Sequence, residues 1–249
     1  MGTIIGSEYL DNNAIQFDGV NQYAARVGAF PWLSHSQGAW AFDLTLLSFP
    51  GGTGNDVRSV INAGVYAAGK GLFFISCRRN SGYGDTAIRL DIAKYNGSGA
   101  TFTRAPSAET ITIGVKRRYI VQSDGKMFID GVEASVYLSY NGNSWTGDWY
   151  SAMPGVAANY EQRFAGEGDP GSPPARFGNI RLNNVVYYSS PLTASEALAD
   201  YNGGRPQDPR ERPDLAAKAL YFWPFDGHLN DIIGGQNLTA YNSPTYPTP

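Results

Sequence analysis

RRYIVQSDGKMFIDGVEASVYL, Arg117 to Leu138, holds short runs rich in Tyr, Ile, Val, Met and Phe, separated by Asp124-Gly125 and Asp130-Gly131. An Asp-Gly pair between β-prone runs is a strong local hairpin signal, because glycine takes the positive φ that a tight turn needs. The segment therefore reads as a β-meander, and the pattern continues on both sides of it. AIQFDGVNQYAARV (Ala14 to Val27) reads as two strands around Asp18-Gly19, with Ile15 and Phe17 sharing one face. GAWAFDLTLLSF (Gly38 to Phe49) alternates Trp40, Phe42, Leu44 and Leu46, as a core strand does. VRSVINAGV, KGLFFISCRRN, TAIRLDIAKYN with Ile88, Leu90 and Ile92 inward, ATFTRA and ETITIGV continue the series. A strand about every ten residues is the spacing of an antiparallel sandwich.

Two stretches interrupt this rhythm. Residues 140–176 hold Trp145, Trp149 and a Gly/Pro-rich tract, and read as a long loop broken by a short strand near Met153 to Ala157. Regularity returns over Phe177 to Gly204, where a helix is expected near 193–202. Thr193 with Glu196 three residues on forms a capping box, Leu198 and Tyr201 are expected to face the core, and Asn202-Gly203 stops the helix. RPQDPRERPD (205–214) is a Pro-rich charged connector. The expected organisation is an N-terminal arm over 1–13, one jelly-roll domain over 14–243 and a C-terminal tail over 244–249.

Composition agrees with an all-β chain. Among 249 residues, 30 Gly, 15 Pro and 16 Tyr favour short strands and tight turns over a helical bundle. The net charge of −3 lacks the basic footprint of a nucleic-acid binder. The basic cluster Lys116-Arg117-Arg118 opens a strand and is expected to be solvated or paired with acids. No apolar run is long enough to span a membrane as a helix, and the N-terminus does not read as a secretory signal. Cys77 is alone, so no internal disulfide forms, and its apolar surroundings suit a small buried residue.

Several of these runs resemble the concanavalin A-like (laminin G-like) jelly-roll family. SDGKMFIDGVEASV matches a hairpin of the form YDGxxxxLYVDGxxV, and Phe17, Asp18, Gly19, Val20, Asn21 and Tyr23 match the opening LxFDGxxDYV. Phe177, Gly178, Ile180, Val186 and Tyr188, then Leu192, Thr193, Ser195, Glu196, Tyr201, Asn202 and Gly203, fit the strand and helix FxGxIDEVRIY and NRALSxxEIxxLYNxG. The usual acidic pair of that strand is replaced by Arg181 and its neighbours, so any role of those acids does not carry over. WPFDGHLNDIIGGQNLTAYN resembles an element that precedes the first strand in many relatives and here closes the chain. The resemblance implies a two-sheet antiparallel jelly-roll sandwich whose two ends are neighbours.

Catalytic patterns are sought and not found. Glycosidases of this fold carry Glu-x-Asp-x-Glu on one strand; Glu167-Gly168-Asp169 is the nearest approach and sits in a Gly/Pro tract. His35 and His228 are isolated loop residues, too few for a zinc centre or a serine triad. No cofactor is expected. Members of the fold often carry structural calcium, for which Asp18, Asp226 and Asp231 are candidates, with turn formation before glycine as the other role of Asp18 and Asp226.

The positive signal is aromatic. Trp145, Trp149 and Tyr150, interleaved with Asn141, Asn143 and Asp148, supply the rings and hydrogen-bonding groups that sugars need. The same residues suit loop packing or an oligomer interface. The expectation is a non-enzymatic jelly-roll protein of the virion surface, a bacteriophage head decoration, fibre or tail component that assembles with itself and other virion proteins. The alternative is a carbohydrate-binding, lectin-like adhesion or receptor-recognition module at the cell surface or outside the cell.

Overall fold

The computed structural model of this chain describes residues 14–26, 35–49, 55–64, 71–80, 85–95, 103–137, 139–140, 143–145, 149, 161–167 and 176–247. In chain order the first strands are β1 (Ile15–Asp18), β2 (Tyr23–Arg26), β3 (Ala39–Leu46), β4 (Asn55–Gly64), β5 (Leu72–Asn80) and β6 (Asp85–Tyr95). There follow β7 (Thr103–Thr110), β8 (Lys116–Gln122), β9 (Met127–Ile129), β10 (Val132–Ala134), β11 (Ser139–Tyr140) and β12 (Asn143–Ser144). The last are β13 (Gln162–Phe164), β14 (Asn179–Tyr188), β15 (Ala219–Trp223) and β16 (Thr239–Tyr241).

All but β11 and β12, which pair with each other, build a jelly-roll sandwich, with every described ladder antiparallel. The first sheet runs β1-β14-β3-β8-β9-β10, with β15 also on β14; the second runs β16-β2-β13-β4-β5-β6-β7. Period-two alternation explains which side chains meet between them. Trp40, Phe42, Leu44 and Leu46 of β3 are buried against Phe73, Ile75 and Cys77 of β5, and Ile88, Leu90 and Ile92 of β6 line the same core. At its centre Trp40, Tyr187, Trp223 and Phe164 touch ring to ring, with centroids between 4.8 and 6.1 Å apart. Buried aromatic pairs of this kind contribute beyond their area.

The outer face of the first sheet is apolar as well, with Ala39, Ala41, Ile120, Phe128 and Val186 buried under Leu192, Ala197 and Leu215. The cover is α1 (Ala194–Tyr201) and a second helical turn, α2 (Pro213–Ala216). Thr193 and Glu196 form the full capping box, and Asn202 closes α1 in the left-handed conformation. The helix face is rotated from the expected one. Leu198 is 57% exposed, whereas Ala197 and Asp200 are buried. A salt bridge selects that face: Arg118 donates to both carboxylate oxygens of Asp200, at 2.7 and 2.9 Å.

Both long edges are stitched. On one, Thr245 exchanges backbone hydrogen bonds with Gln16 at 2.7 and 3.0 Å, so the two ends of the domain are neighbours as expected. On the other, Ala108 and Tyr137 amides bond the Ser135 and Pro106 carbonyls, tying the end of the meander to β7. Residues 244–247, within the stretch read as a C-terminal tail, are held to the sheet through Thr245, and Tyr246 packs on the core. The stretch 140–176 is not a plain loop, because it supplies β13, an interior strand of the second sheet. The strand expected near Met153 to Ala157 and the arm over 1–13 lie outside the described residues. ETITIGV is not a strand past Thr110: Gly114 at φ 80 turns the chain from one sheet to the other, leaving Ile113 and Val115 exposed. The connector 205–214 contributes the start of α2, with Pro213 at the first helical position, where its missing N–H costs nothing.

Candidate functional site

At the edge of the second sheet the structure assembles an aromatic shelf from residues far apart in sequence. β2 lies between β16 and β13, with Tyr241 opposite Tyr23 and Arg163 opposite Ala25. Ala24 points into the core, so Tyr23 and Ala25 point outward, and Phe164 inward leaves Arg163 on that same outer face. Tyr23 and Tyr241 stack with centroids 4.4 Å apart and planes 1° apart. The other side of Tyr23 carries the Arg163 guanidinium, its carbon 5.2 Å from the ring centroid. Glu161, two residues away on the same face, accepts from Arg163 Nε at 2.8 Å. The cation is thereby neutralised and buried. Burial pushes the Tyr23 phenol above its ordinary range, the Arg163 charge only partly offsetting it.

The stack ends at Tyr241. Among the described strands β16 is the outermost of its sheet, and Tyr241 is only partly buried, so its second face is turned toward that edge. Neutral polar groups surround it. Asn242 donates Nδ2 to the Asn21 carbonyl at 2.7 Å and keeps its Oδ1 for solvent, and Gln22 donates to the Ser243 carbonyl at 3.1 Å. Thr239, Asn242, Ser243 and Asn21 are exposed. Asn242 and Ser243 both adopt left-handed backbone, φ 58 and 56, which swings the chain from β16 to its pairing with Gln16. For serine that conformation costs energy and must be held by its surroundings, here by the Gln22 bond. In the turn that carries the chain from β1 in the first sheet to β2 in the second, Asp18 Oδ1 accepts from the amides of Val20, Asn21 and Gln22. Slight burial works against ionisation there, but the amide bonds win and hold the carboxyl below its usual value.

The residues expected from sequence fall elsewhere. Trp149 has 0% exposure: it packs edge-on against Phe73 at 4.8 Å and donates Nε1–H to Tyr187 Oη at 3.1 Å. Its reading as a ligand-facing ring is therefore corrected; it is core. Trp145 is half-buried at the end of the sandwich, where Nε1–H donates to the Ser123 carbonyl at 2.9 Å and the Lys94 ammonium sits 4.8 Å from its ring centroid. Asn141, Asp148, Tyr150 and the Asn143 side chain lie outside the described residues.

The remaining candidates are engaged locally. The Asp231 carboxylate accepts four backbone amides, those of Phe222, Ile233, Gly234 and Gln236, and so pins the 231–236 loop to β15. Asp226 pairs with His228 at 2.9 Å. Among the described residues no three His, Cys, Asp or Glu side chains are grouped to hold a metal. Glu167 is clamped by Arg176 at 2.9 and 3.1 Å, and burial raises its carboxyl despite that partner. His35 Nδ1 meets Tyr187 Oη at 3.1 Å, and burial lowers its imidazole. Cys77 is buried and free, its thiol pushed up to about 12 by desolvation.

No protein-family model matches the chain, and no curated protein matches it in sequence. In fold it is similar to a candidate carbohydrate binding protein from Bacteroides ovatus ATCC 8483, with a TM-score of 0.58 and 13% identity over 93% of this chain. The chain spans 58% of that protein's length. Weaker likenesses, too distant to carry function, include the Ruminococcus gnavus IT-sialidase CBM40 bound to α2,3-sialyllactose, at TM-score 0.47 and 14% identity, covering 77% of this chain and 98% of that one. Another is tailspike protein 2 of Escherichia coli O157:H7 bacteriophage CAB120, at TM-score 0.47 and 12% identity, covering 86% of this chain and 30% of that one. At these identities the similarity concerns the jelly-roll fold.

Proposed function

We propose that this chain is a non-enzymatic, lectin-like jelly-roll module that contacts glycans through the outward face of Tyr241. The supporting observation is the Arg163–Tyr23–Tyr241 stack, which holds a rigid ring at an open sheet edge among exposed Asn and Thr groups. An aromatic face receives the C–H face of a pyranose, and flanking amides and hydroxyls bond its hydroxyls. The candidate carbohydrate binding protein of similar fold agrees with this reading. The test is a glycan array probed with the wild-type chain, Tyr241→Ala and Trp145→Ala. The expected result is pyranose binding that Tyr241→Ala removes and Trp145→Ala leaves intact; no bound glycan, or the reverse dependence, overturns it.

A second reading, an assembling structural component of a bacteriophage virion surface, draws on a different patch. Leu198 on α1 is 57% exposed where it meets Gly131, and Val132 on β10, 67% exposed, lies on the other face of the same sheet edge, opposite Ile129. Large exposed apolar side chains at one sheet edge suit a protein contact that wraps it. This reading expects an oligomer in light scattering that Leu198→Asp with Val132→Asp dissociates; a strictly monomeric wild type counts against it.

A further inference from the structure

We infer that the Tyr241 shelf selects neutral pyranoses over acidic sugars such as sialic or uronic acids; this rests on the glycan-binding reading above. The argument is one of charge placement. The cation nearest the stack, Arg163, is shielded from a ligand on Tyr241 by the Tyr23 ring, and its charge is already met by Glu161 at 2.8 Å. The described segments that frame the shelf, Asp18 to Tyr23 and Thr239 to Thr245, contain a single ionisable acid, Asp18, and no Lys or Arg. Asp18 holds its charge in the turn between β1 and β2 through three backbone amides. The groups that do face solvent, Thr239 Oγ1, Asn242 Oδ1 and the Asn21 side chain, are uncharged. A hydroxyl both donates and accepts, as amides and alcohols do, so a neutral sugar finds matched partners there. A carboxylate finds no exposed cation among the framing residues, meets Asp18 of like sign, and enters the field of a chain whose net charge is −3.

The test is titration calorimetry with matched pairs that differ by one acidic group, lactose against 3′-sialyllactose and a glucose disaccharide against its uronate. The expected result is that each neutral member binds at least about fivefold tighter, the weight of one water-screened like-charge contact. Asp18→Asn, which retains a turn-forming side chain oxygen, narrows that ratio. Tyr241→Phe, which keeps the ring, retains binding, and Tyr241→Ala removes it. If the acidic members bind as well or better and Tyr241→Ala still abolishes binding, the selectivity is wrong and the shelf stands. If binding survives Tyr241→Ala in a variant with unchanged circular dichroism, or no sugar binds, the shelf and its selectivity fall together.

Discussion

Replacing Arg118 with methionine is expected to be among the most damaging single changes outside the apolar core. Its guanidinium donates to Asp200 at 2.7 and 2.9 Å, to Asp43 at 3.3 Å and to the Asn184 carbonyl at 2.6 Å, with all three charged side chains buried. Tyr188 adds a hydrogen bond to Asp200 at 2.7 Å. Methionine keeps most of the volume and removes the buried cation of this cluster, leaving Asp43 and Asp200 charged between α1 and the first sheet. Breaking a buried pair from one side costs about 3–5 kcal/mol. In a chain of this size that corresponds to a fall in Tm of roughly 6–20 °C. The comparison is Lys126→Met, which breaks an exposed pair with Glu133 at 3.5 Å and is expected to cost less than about 1 kcal/mol. Urea unfolding followed by tryptophan fluorescence measures both. A third variant, Arg118→Met with Asp43→Asn and Asp200→Leu, is expected to recover much of the loss, because an apolar replacement of a whole buried pair is often neutral. Burial already raises the Asp43 carboxyl against the pull of Arg118. Without the cation the folded state binds protons more readily still, so the Arg118→Met deficit should shrink as pH falls toward about 4. A loss for Arg118→Met no larger than for Lys126→Met would refute the claim that this ion cluster docks the helix.

Other consequences follow from single sites. A Cβ at Gly38 would lie 2.7 Å from Tyr187 Oη and 3.0 Å from Trp149 Nε1, so Gly38→Ala should cost about 1–3 kcal/mol in denaturant unfolding, as overpacking does. Trp149→Ala, which empties a core position, should cost about 3–5 kcal/mol without selectively removing glycan binding. His35 has an imidazole lowered from the ordinary 6.5 by burial, so the unfolded chain takes up its proton first. Its contribution is present above pH 6.5 and lost as pH falls from there toward the depressed folded value; a Tm-against-pH slope in that window should flatten in His35→Phe. Deleting residues 239–249 removes β16 and the Thr245–Gln16 bonds, and should expose β2 as an edge, read as loss of hydrogen-exchange protection at Tyr23 to Arg26.

The sandwich was legible in the sequence wherever alternation and turn chemistry agreed. Trp40 to Leu46 and Ile88 to Ile92 lie in the core as read, and the Asp-Gly pairs at 124–125 and 130–131 turn the meander. The helix was legible because its caps are local. Its buried face was not, since the choice of Asp200 over Leu198 depends on Arg118, distant in sequence. β13 was hidden for a similar reason: Gln162-Arg163-Phe164 looks polar, but Gln162 bonds the Asn62 carbonyl at 2.7 Å and Arg163 has Glu161 and Tyr23, so an interior strand can carry them. The shelf joins residues from opposite ends of the chain. The matches of Tyr23 and of the closing NLTAYN run to the family pattern marked both strands, but only the register of β2 against β16 makes them one surface. Local composition instead favoured Trp149, whose burial is decided by its N–H meeting Tyr187.

A crystal structure of the chain soaked with a neutral oligosaccharide that it binds is the most direct test of the functional account. A pyranose lying flat on the side of Tyr241 turned away from Tyr23, with a hydroxyl within hydrogen-bonding reach of Asn242 or Thr239, is the predicted result. Sugar density seated against Trp145, or anywhere that leaves the Tyr241 ring uncovered, would contradict it.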